Sequence, residues 1–439
     1  MIAQNGPVLL FIVLLLMTLA IRIREKTWYS PFSFFGLLWT FIIGFSIFTA
    51  PEYFFSGASL AFITLCVFIF FAGGYVAENW RMQKSFIKQG TAGPGGKILA
   101  LHFYIAVAAG FCSLYFLLHD SGIRFSEIAG FGQFMDASKV LTNQRYEGER
   151  LTGPTMICMT ICYSGCLTGG HFFVFGKNKL HKASSLLVLL PLLLFTLVYT
   201  ARSVFIFAVL FFIASVITNY LVLFRKDAQL FGRRNLLFMG IACIVLPMIF
   251  LFTQAIKMGI SNFSPGSIGI VADHLKIYFS GNLSAFSYWF GNAGEGSRLS
   301  AGAYTFAGMN ELLGGAPREL GIYGKAIDLD GHMNFSNIYT LFRFLIDDFG
   351  TGGTIIFWFL LGIGSRMMYG RVLSGDFVSA AVLSGIFTMM LFSFVTSVFA
   401  YNSVLFSWLF FVLVTFVAEK YNGASALSKL KPDIGEGRG

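Results

Sequence analysis

Arg202 is the first residue whose type and place suggest chemistry. It lies in Tyr199-Thr200-Ala201-Arg202-Ser203, a minimal turn between two wholly apolar runs. An Arg at bilayer depth costs about 2.5–3.5 kcal/mol on insertion scales, and less near an interface. Its planar guanidinium suits bidentate binding of phosphate or carboxylate. Snorkelling to head groups is the plain alternative, yet snorkelling anchors come with neighbours and Arg202 is alone in its turn. The stretch 120–153 adds Arg124, Lys139, Arg145 and Arg150, with Glu147 and Glu149 interleaved. Most of these read as a solvated, mutually neutralising set. Arg150 is the exception, because it sits at the mouth of the run beginning near Pro154 and matches the height of Arg202; Arg145 follows it. The stretch 257–350 supplies Asp273, His274, Lys276, Arg298, Arg318, His332, Arg343, Asp347 and Asp348. Its two His are too far apart for a metal motif, and no H-E-x-x-H, C-x-x-C, P-loop or G-x-S-x-G is present. Cys158, Cys162 and Cys166 recur at every fourth residue and read as small packing residues of a lipid-embedded helix. No metal site and no cofactor are expected.

The elements that must position these groups follow from composition. Of 439 residues, 56% are hydrophobic and 12% charged, and the mean hydropathy is +0.73. Soluble domains run about 45–50% apolar and about 25% charged. This excludes a soluble globular enzyme, a disordered scaffold and a disulfide-stapled secreted domain. The net charge of +10 invites a nucleic-acid reading, but the basic residues are dispersed in short clusters between apolar runs, so no nucleic-acid partner is expected. All six Cys fall inside apolar stretches, which leaves no extramembrane pair to oxidise. About eleven runs are long enough to cross a ~30 Å core. They lie near 8–21, 31–50, 57–77, 98–119, 154–176, 184–199, 204–224, 236–256, 351–365, 377–397 and 403–418. The expected fold is therefore an all-α polytopic membrane protein. Residues 1–420 would form a single transmembrane domain and 421–439 a disordered cytoplasmic tail.

Loop charge orients it. Segments 22–30, 78–97, 177–183, 225–235, 366–376 and 419–439 hold most of the 31 Lys and Arg, although they are much shorter in total than the alternating set. The positive-inside rule then predicts the N-terminus outside and the C-terminus inside. Two outside segments stand apart by length, 120–153 and 257–350, and loops of that size are usually functional or disordered. The second is rich in Gly and aromatics, and 274–290 reads as an amphipathic helix in the membrane interface. Internal repeats and inverted halves of the transporter kind are absent.

A site on the outer face has no access to ATP, so its substrate must arrive already activated. A sugar chain on a polyprenyl pyrophosphate meets that condition: its lipid demands a membrane protein and its pyrophosphate demands Arg or Lys at the outer interface. Outward Arg, aromatic surfaces for sugars and a few carboxylates or His for proton transfer are the required parts.

One passage carries a family resemblance. Pro317-Arg318-Glu319-Leu320-Gly321-Ile322-Tyr323-Gly324 is followed by Asn337-Ile338-Tyr339-Thr340, then by Asp347-Asp348-Phe349-Gly350-Thr351-Gly352-Gly353 and an apolar span. It resembles the bacterial oligosaccharide repeat-unit polymerases of the O-antigen type. The specific part covers about fifty residues, while hydropathy and loop placement are similar across most of the chain. The resemblance implies the polytopic glycosyltransferase architecture shared with O-antigen ligases, the bacterial inner membrane, an undecaprenyl-pyrophosphate-linked oligosaccharide as substrate, and a chain-length regulator as a partner. It implies that Arg202, with Arg150 and Arg318, grips the donor pyrophosphate. Arg145, Lys276, Asn337 and Tyr339 would contact substrate, and His332, Asp348 and Asp347, in that order, are candidates for the base. The ligases carry a His-Asn where this chain has Ser336-Asn337, which favours polymerase over ligase. A lipid-linked oligosaccharide flippase would want charge inside the spans. A membrane acyltransferase would need a span His such as His102 or His171.

Overall fold

Long apolar runs punctuated by small and capping residues build a helical bundle. The computed structural model describes residues 5–79, 96–128, 130–148, 150–225, 248–249, 251–253, 276–292, 299–316, 323, 326–329 and 335–430. Among these, nine helices are long and apolar enough to cross a membrane. They are α1 (Asn5–Glu25), α2 (Pro31–Thr49), α3 (Gly57–Asn79), α4 (Gly96–Asp120), α6 (Gly153–Phe175), α7 (Lys179–Tyr199), α8 (Arg202–Phe224), α11 (Leu341–Leu373) and α13 (Asn402–Tyr421, continuing helical to Leu430). A shorter apolar helix, α12 (Phe377–Phe392), completes the set. Shorter helices α5 (Phe131–Tyr146), α9 (Asn282–Asn292, preceded by a π turn at Ile277–Gly281) and α10 (Ala307–Leu312) lie between them. The chain is thus an all-α multi-pass membrane protein.

Local chemistry sets several boundaries. Ser30 caps α2 by accepting from the Ser33 N–H, with Pro31 in the first turn, and Asp376 caps α12 by accepting from Val378 and Ser379. Inside the bundle, small residues let backbones touch. A Cβ on Gly73 of α3 would lie 2.1 Å from the Phe359 carbonyl of α11, and one on Gly362 of α11 would lie 2.1 Å from the Phe70 carbonyl of α3. Without a hydrophobic force between helices in lipid, such close packing is what holds them. His102 bonds Thr168 (2.8 Å) and Ser164 (2.9 Å), and His171 bonds Asn219 (2.9 Å). Both imidazoles are buried ties between helices. Cys162 and Cys166 are fully buried packing residues, and no group of metal-ligating side chains occurs among the described residues.

The run 236–256 lies largely outside the described residues, and three other expectations change. The run 351–365 is the middle of a 33-residue helix that starts at Leu341, so the end of the expected loop 257–350 is helical. The tail after Tyr421 continues as helix to Leu430, consistent with its Ala, Leu and Lys content. The segment 276–292 is not an interfacial helix resting on lipid. Residues Ser280 to Ser287 are buried, with Ser287 bonded to Ser59 of α3 (2.7 Å) and Ser284 donating to the Phe54 carbonyl (3.0 Å). Two of its serines thus find partners in the bundle, while Asn282 and Asn292 donate to carbonyls of their own helix.

Candidate functional site

Among the described residues, 50–56, 121–128, 150–152, 199–201, 276–292, 299–316, 335–340 and 393–401 meet at one end of the bundle. There, Thr142 of α5 bonds Thr200 (2.7 Å), Ser397 donates to the Thr305 carbonyl (2.9 Å), Asn402 donates to the Gly308 carbonyl (2.8 Å) and the Leu341 N–H donates to the Ser393 carbonyl (2.8 Å). The candidate site is built from this cross-braced layer.

Arg202 is the first residue of α8, presented by a turn in which Thr200 takes φ +52°, a conformation costly for a β-branched residue. A cation in the first turn of a helix opposes the helix dipole, which favours anions there. The guanidinium lies 5.0 Å from the Tyr278 ring. Arg343 repeats the arrangement in the first turn of α11. Its guanidinium carbon lies 3.7 Å from the Tyr323 ring centre, 3.8 Å from Tyr339 and 4.9 Å from Trp289. Tyr278 and Trp289 belong to the same helical segment, about three turns apart. Two arginines, each set against a helix dipole, therefore rest on rings of one wall.

Arg145 and Arg150 come together on a third part of this end. They line one cavity of about 130 Å³ with Asp120, Gln144, Thr152 and Tyr199. Arg145 lies 5.7 Å from the Tyr199 ring, while Arg150 is largely exposed and ion-paired with Glu311 of α10. Arg202, three residues after Tyr199 in the chain, does not line this cavity; it turns to Tyr278. Lys276 is likewise paired, with Glu52. Arg318 and His332 lie outside the described residues. Asn337 is partly buried, and Tyr339 is buried against Arg343 rather than presented at a surface.

The paired aspartates divide sharply. Gly350 takes φ +72° and ψ 174°, breaking α11. The carbonyls of Asp347 and Asp348, freed by the break, accept instead from the Ser300 and Ala301 N–H groups, both at 3.1 Å. The Asp348 carboxylate is buried at 1% exposure and fully occupied: Oδ1 accepts from the Ser300 hydroxyl and the Tyr304 N–H (3.0 Å), and Oδ2 from the Thr305 N–H. Its expected role as a base is therefore replaced by that of an anchor for the turn 300–306. Asp347 is different: Oδ2 accepts from the Tyr323 hydroxyl (2.7 Å) and from Arg343 Nε (3.4 Å), and among the described residues nothing donates to Oδ1. Burial, then the Asp347 charge, push the Tyr323 phenol well above the ordinary tyrosine range, so it stays a donor. Burial also raises the Tyr339 phenol, with Arg343 opposing.

Arg343, Tyr323 and Trp289 are the residues that sequence reasoning does not single out. The available signal was the i, i+4 spacing of Arg343 and Asp347 at the start of an apolar run; the rings are brought in only by folding. No protein-family model, curated protein or solved structure matches this chain.

Proposed function

We propose that this protein polymerises undecaprenyl-pyrophosphate-linked oligosaccharide repeat units at the periplasmic face of a bacterial inner membrane, with the N-terminus outside and the C-terminus inside. The observation that carries the reading is the pair Arg202 and Arg343. Two cations in the first turns of two helices, against aromatic rings of one shared wall, form a surface suited to an anionic, sugar-bearing amphiphile. The helix dipoles favour the pyrophosphate, the guanidinium forks match its oxygens and the rings offer stacking faces to sugars. Arg145 and Arg150 flank this surface as further contacts for the substrate. The growing chain passes from its lipid pyrophosphate to a hydroxyl of an incoming lipid-linked unit. Pyrophosphate leaves readily, so charge stabilisation supplies much of the rate.

The test is turnover of a lipid-linked repeat unit by the purified protein in liposomes. A polymerase makes a ladder of products, whereas a flippase or an acyltransferase does not. Arg202→Ala is expected to lose about 3 kcal/mol of transition-state stabilisation, by analogy with a single oxyanion donor, or roughly a hundredfold in rate. Insertion and melting should stay normal. A ladder of wild-type length and rate from Arg202→Ala would remove Arg202 from the site.

A further inference from the structure

The two aspartates at the α11 break share a backbone bend, yet only one is chemically available. Asp348 spends both carboxylate oxygens on the turn 300–306. Asp347 spends one. Its Oδ2 is held by the Tyr323 hydroxyl and Arg343 Nε, and its Oδ1 has no donor among the described residues. The Arg343 guanidinium is itself held by the faces of the Tyr323, Tyr339 and Trp289 rings and by a hydrogen bond with the Tyr339 side chain. The side chains of Arg343 and Asp347 keep 14% and 11% exposure, which is mostly desolvated but reachable. Tyr304, exposed, stacks on Tyr323 with ring centres 5.2 Å apart, placing an accessible aromatic surface beside the carboxylate. Among the described residues, the charged or titratable groups around Asp347 are thus Arg343, Tyr323, Tyr339, Tyr304 and Asp348. Arg343 cannot take a proton, the Tyr323 hydroxyl is already committed as a donor, and Asp348 is sealed. A carboxylate oriented through one oxygen and open at the other is the arrangement a general base needs.

We propose that Asp347 accepts the proton of the acceptor sugar hydroxyl, with Arg343 and Tyr323 as its positioning residues; the proposal rests on the polymerase reading. In the step, the acceptor O–H bond breaks and its proton goes to Asp347 Oδ1. The acceptor oxygen forms a new bond to the anomeric carbon of the donor chain. The bond from that carbon to the pyrophosphate oxygen breaks, and its electron pair leaves with the lipid pyrophosphate. The proton on Asp347 then passes to solvent. No further reactant is required.

The experiment uses the full chain in liposomes with a synthetic undecaprenyl-pyrophosphate-linked repeat unit. Asp347→Asn should lower kcat about a hundredfold or more, with KM within about threefold of wild type because the asparagine keeps the shape. Tyr323→Phe should retain turnover but move the acid limb of the kcat profile to higher pH, since a carboxylate that loses a donor binds its proton more tightly. A merely structural tyrosine would leave that limb in place. Arg343→Lys should move it the same way, by losing the Nε bond. If wild type yields a ladder and Asp347→Asn turns over within about threefold of it, the base assignment is overturned and the polymerase reading stands. If wild type yields no ladder, the reading falls and the assignment with it. Should Asp347→Asn fail to fold by its melting curve, Asp347→Glu decides: a shifted acid limb supports the assignment and an unchanged one overturns it.

Discussion

Helix α11 carries an arginine–carboxylate pair near each end, and the two pairs are built to opposite ends. At the start, Arg343 meets Asp347 through one nitrogen and one oxygen, 3.4 Å apart. Beyond the middle, Arg366 meets Glu25 of α1 with both of its Nη groups on both carboxylate oxygens, the longer bond being 3.1 Å, at 8% and 4% exposure. Both guanidinium groups also lie on rings, Arg366 4.4 Å from Phe32 and Arg343 between Tyr323 and Tyr339. The difference is how many carboxylate oxygens are engaged. Arg366–Glu25, with Glu78 and Arg24 beside it, is a closed fork that ties α1, α3 and α11 together. Arg343–Asp347 leaves one carboxylate oxygen with no donor among the described residues. A carboxylate engaged through both oxygens holds a fold; one that is oriented through a single oxygen is available to a ligand.

The most damaging way to break this contrast is to remove one arginine from each pair. Arg366→Ala strands a buried glutamate, and its expected cost is about 3–5 kcal/mol. This should be read as a collapse of the detergent melting transition or loss of monodisperse protein. Arg343→Ala should melt close to wild type and lose product ladder instead. Equal melting losses from the two variants would erase the distinction between a lock and a site. A smaller effect is expected from Gly350→Ala. A Cβ there would meet only Leu299 at an ordinary 3.7 Å, so the cost is the positive φ itself, about 1–3 kcal/mol. Because the bend positions Asp347 and Asp348 together, both melting temperature and turnover should fall. Normal turnover would separate the pair from the bend.

The smallest effect is expected in the alkaline range and sharpens the open pair alone. The folded state raises the Tyr323 phenol above its unfolded value, through burial first and the Asp347 charge second. Its contribution is fully present below the unfolded value near 10 and is lost as pH rises from there toward the raised folded value. Wild type should therefore lose melting temperature above about pH 10, and Tyr323→Phe should lose less of it. Identical alkaline slopes for the two proteins would show that this phenol is not held by the fold.

How much of the site was legible depends on the reach of each interaction. Arg202 stands out because a lone cation between apolar runs is conspicuous in any hydropathy reading, and Asp347-Asp348-Phe349-Gly350 stands out as part of the passage that carries the family resemblance. Arg150 and Lys276 were visible as cations, but Glu311 and Glu52, which pair with them, are far away in the chain. Asp348 ranks before Asp347 as a candidate base, and nothing in the local sequence shows which of the two is sealed. Ser300, Tyr304 and Thr305, which seal the first, and Tyr323, which orients the second, lie more than twenty residues upstream. The stretch 274–290, read as an interfacial helix, is buried from Ser280 to Ser287, because its serines look amphipathic until their partners Ser59 and the Phe54 carbonyl are known.

What the amino-acid string determined by itself is the solvent: too little charge and too many long apolar runs for anything but a multi-pass helical protein, because transfer free energies accumulate residue by residue along a run. What only the tertiary structure decided is which polar groups are spent and which are left over. Hydrogen bonds saturate, and saturation is settled through space, so no local pattern could tell that one aspartate is an anchor while its neighbour keeps an oxygen open.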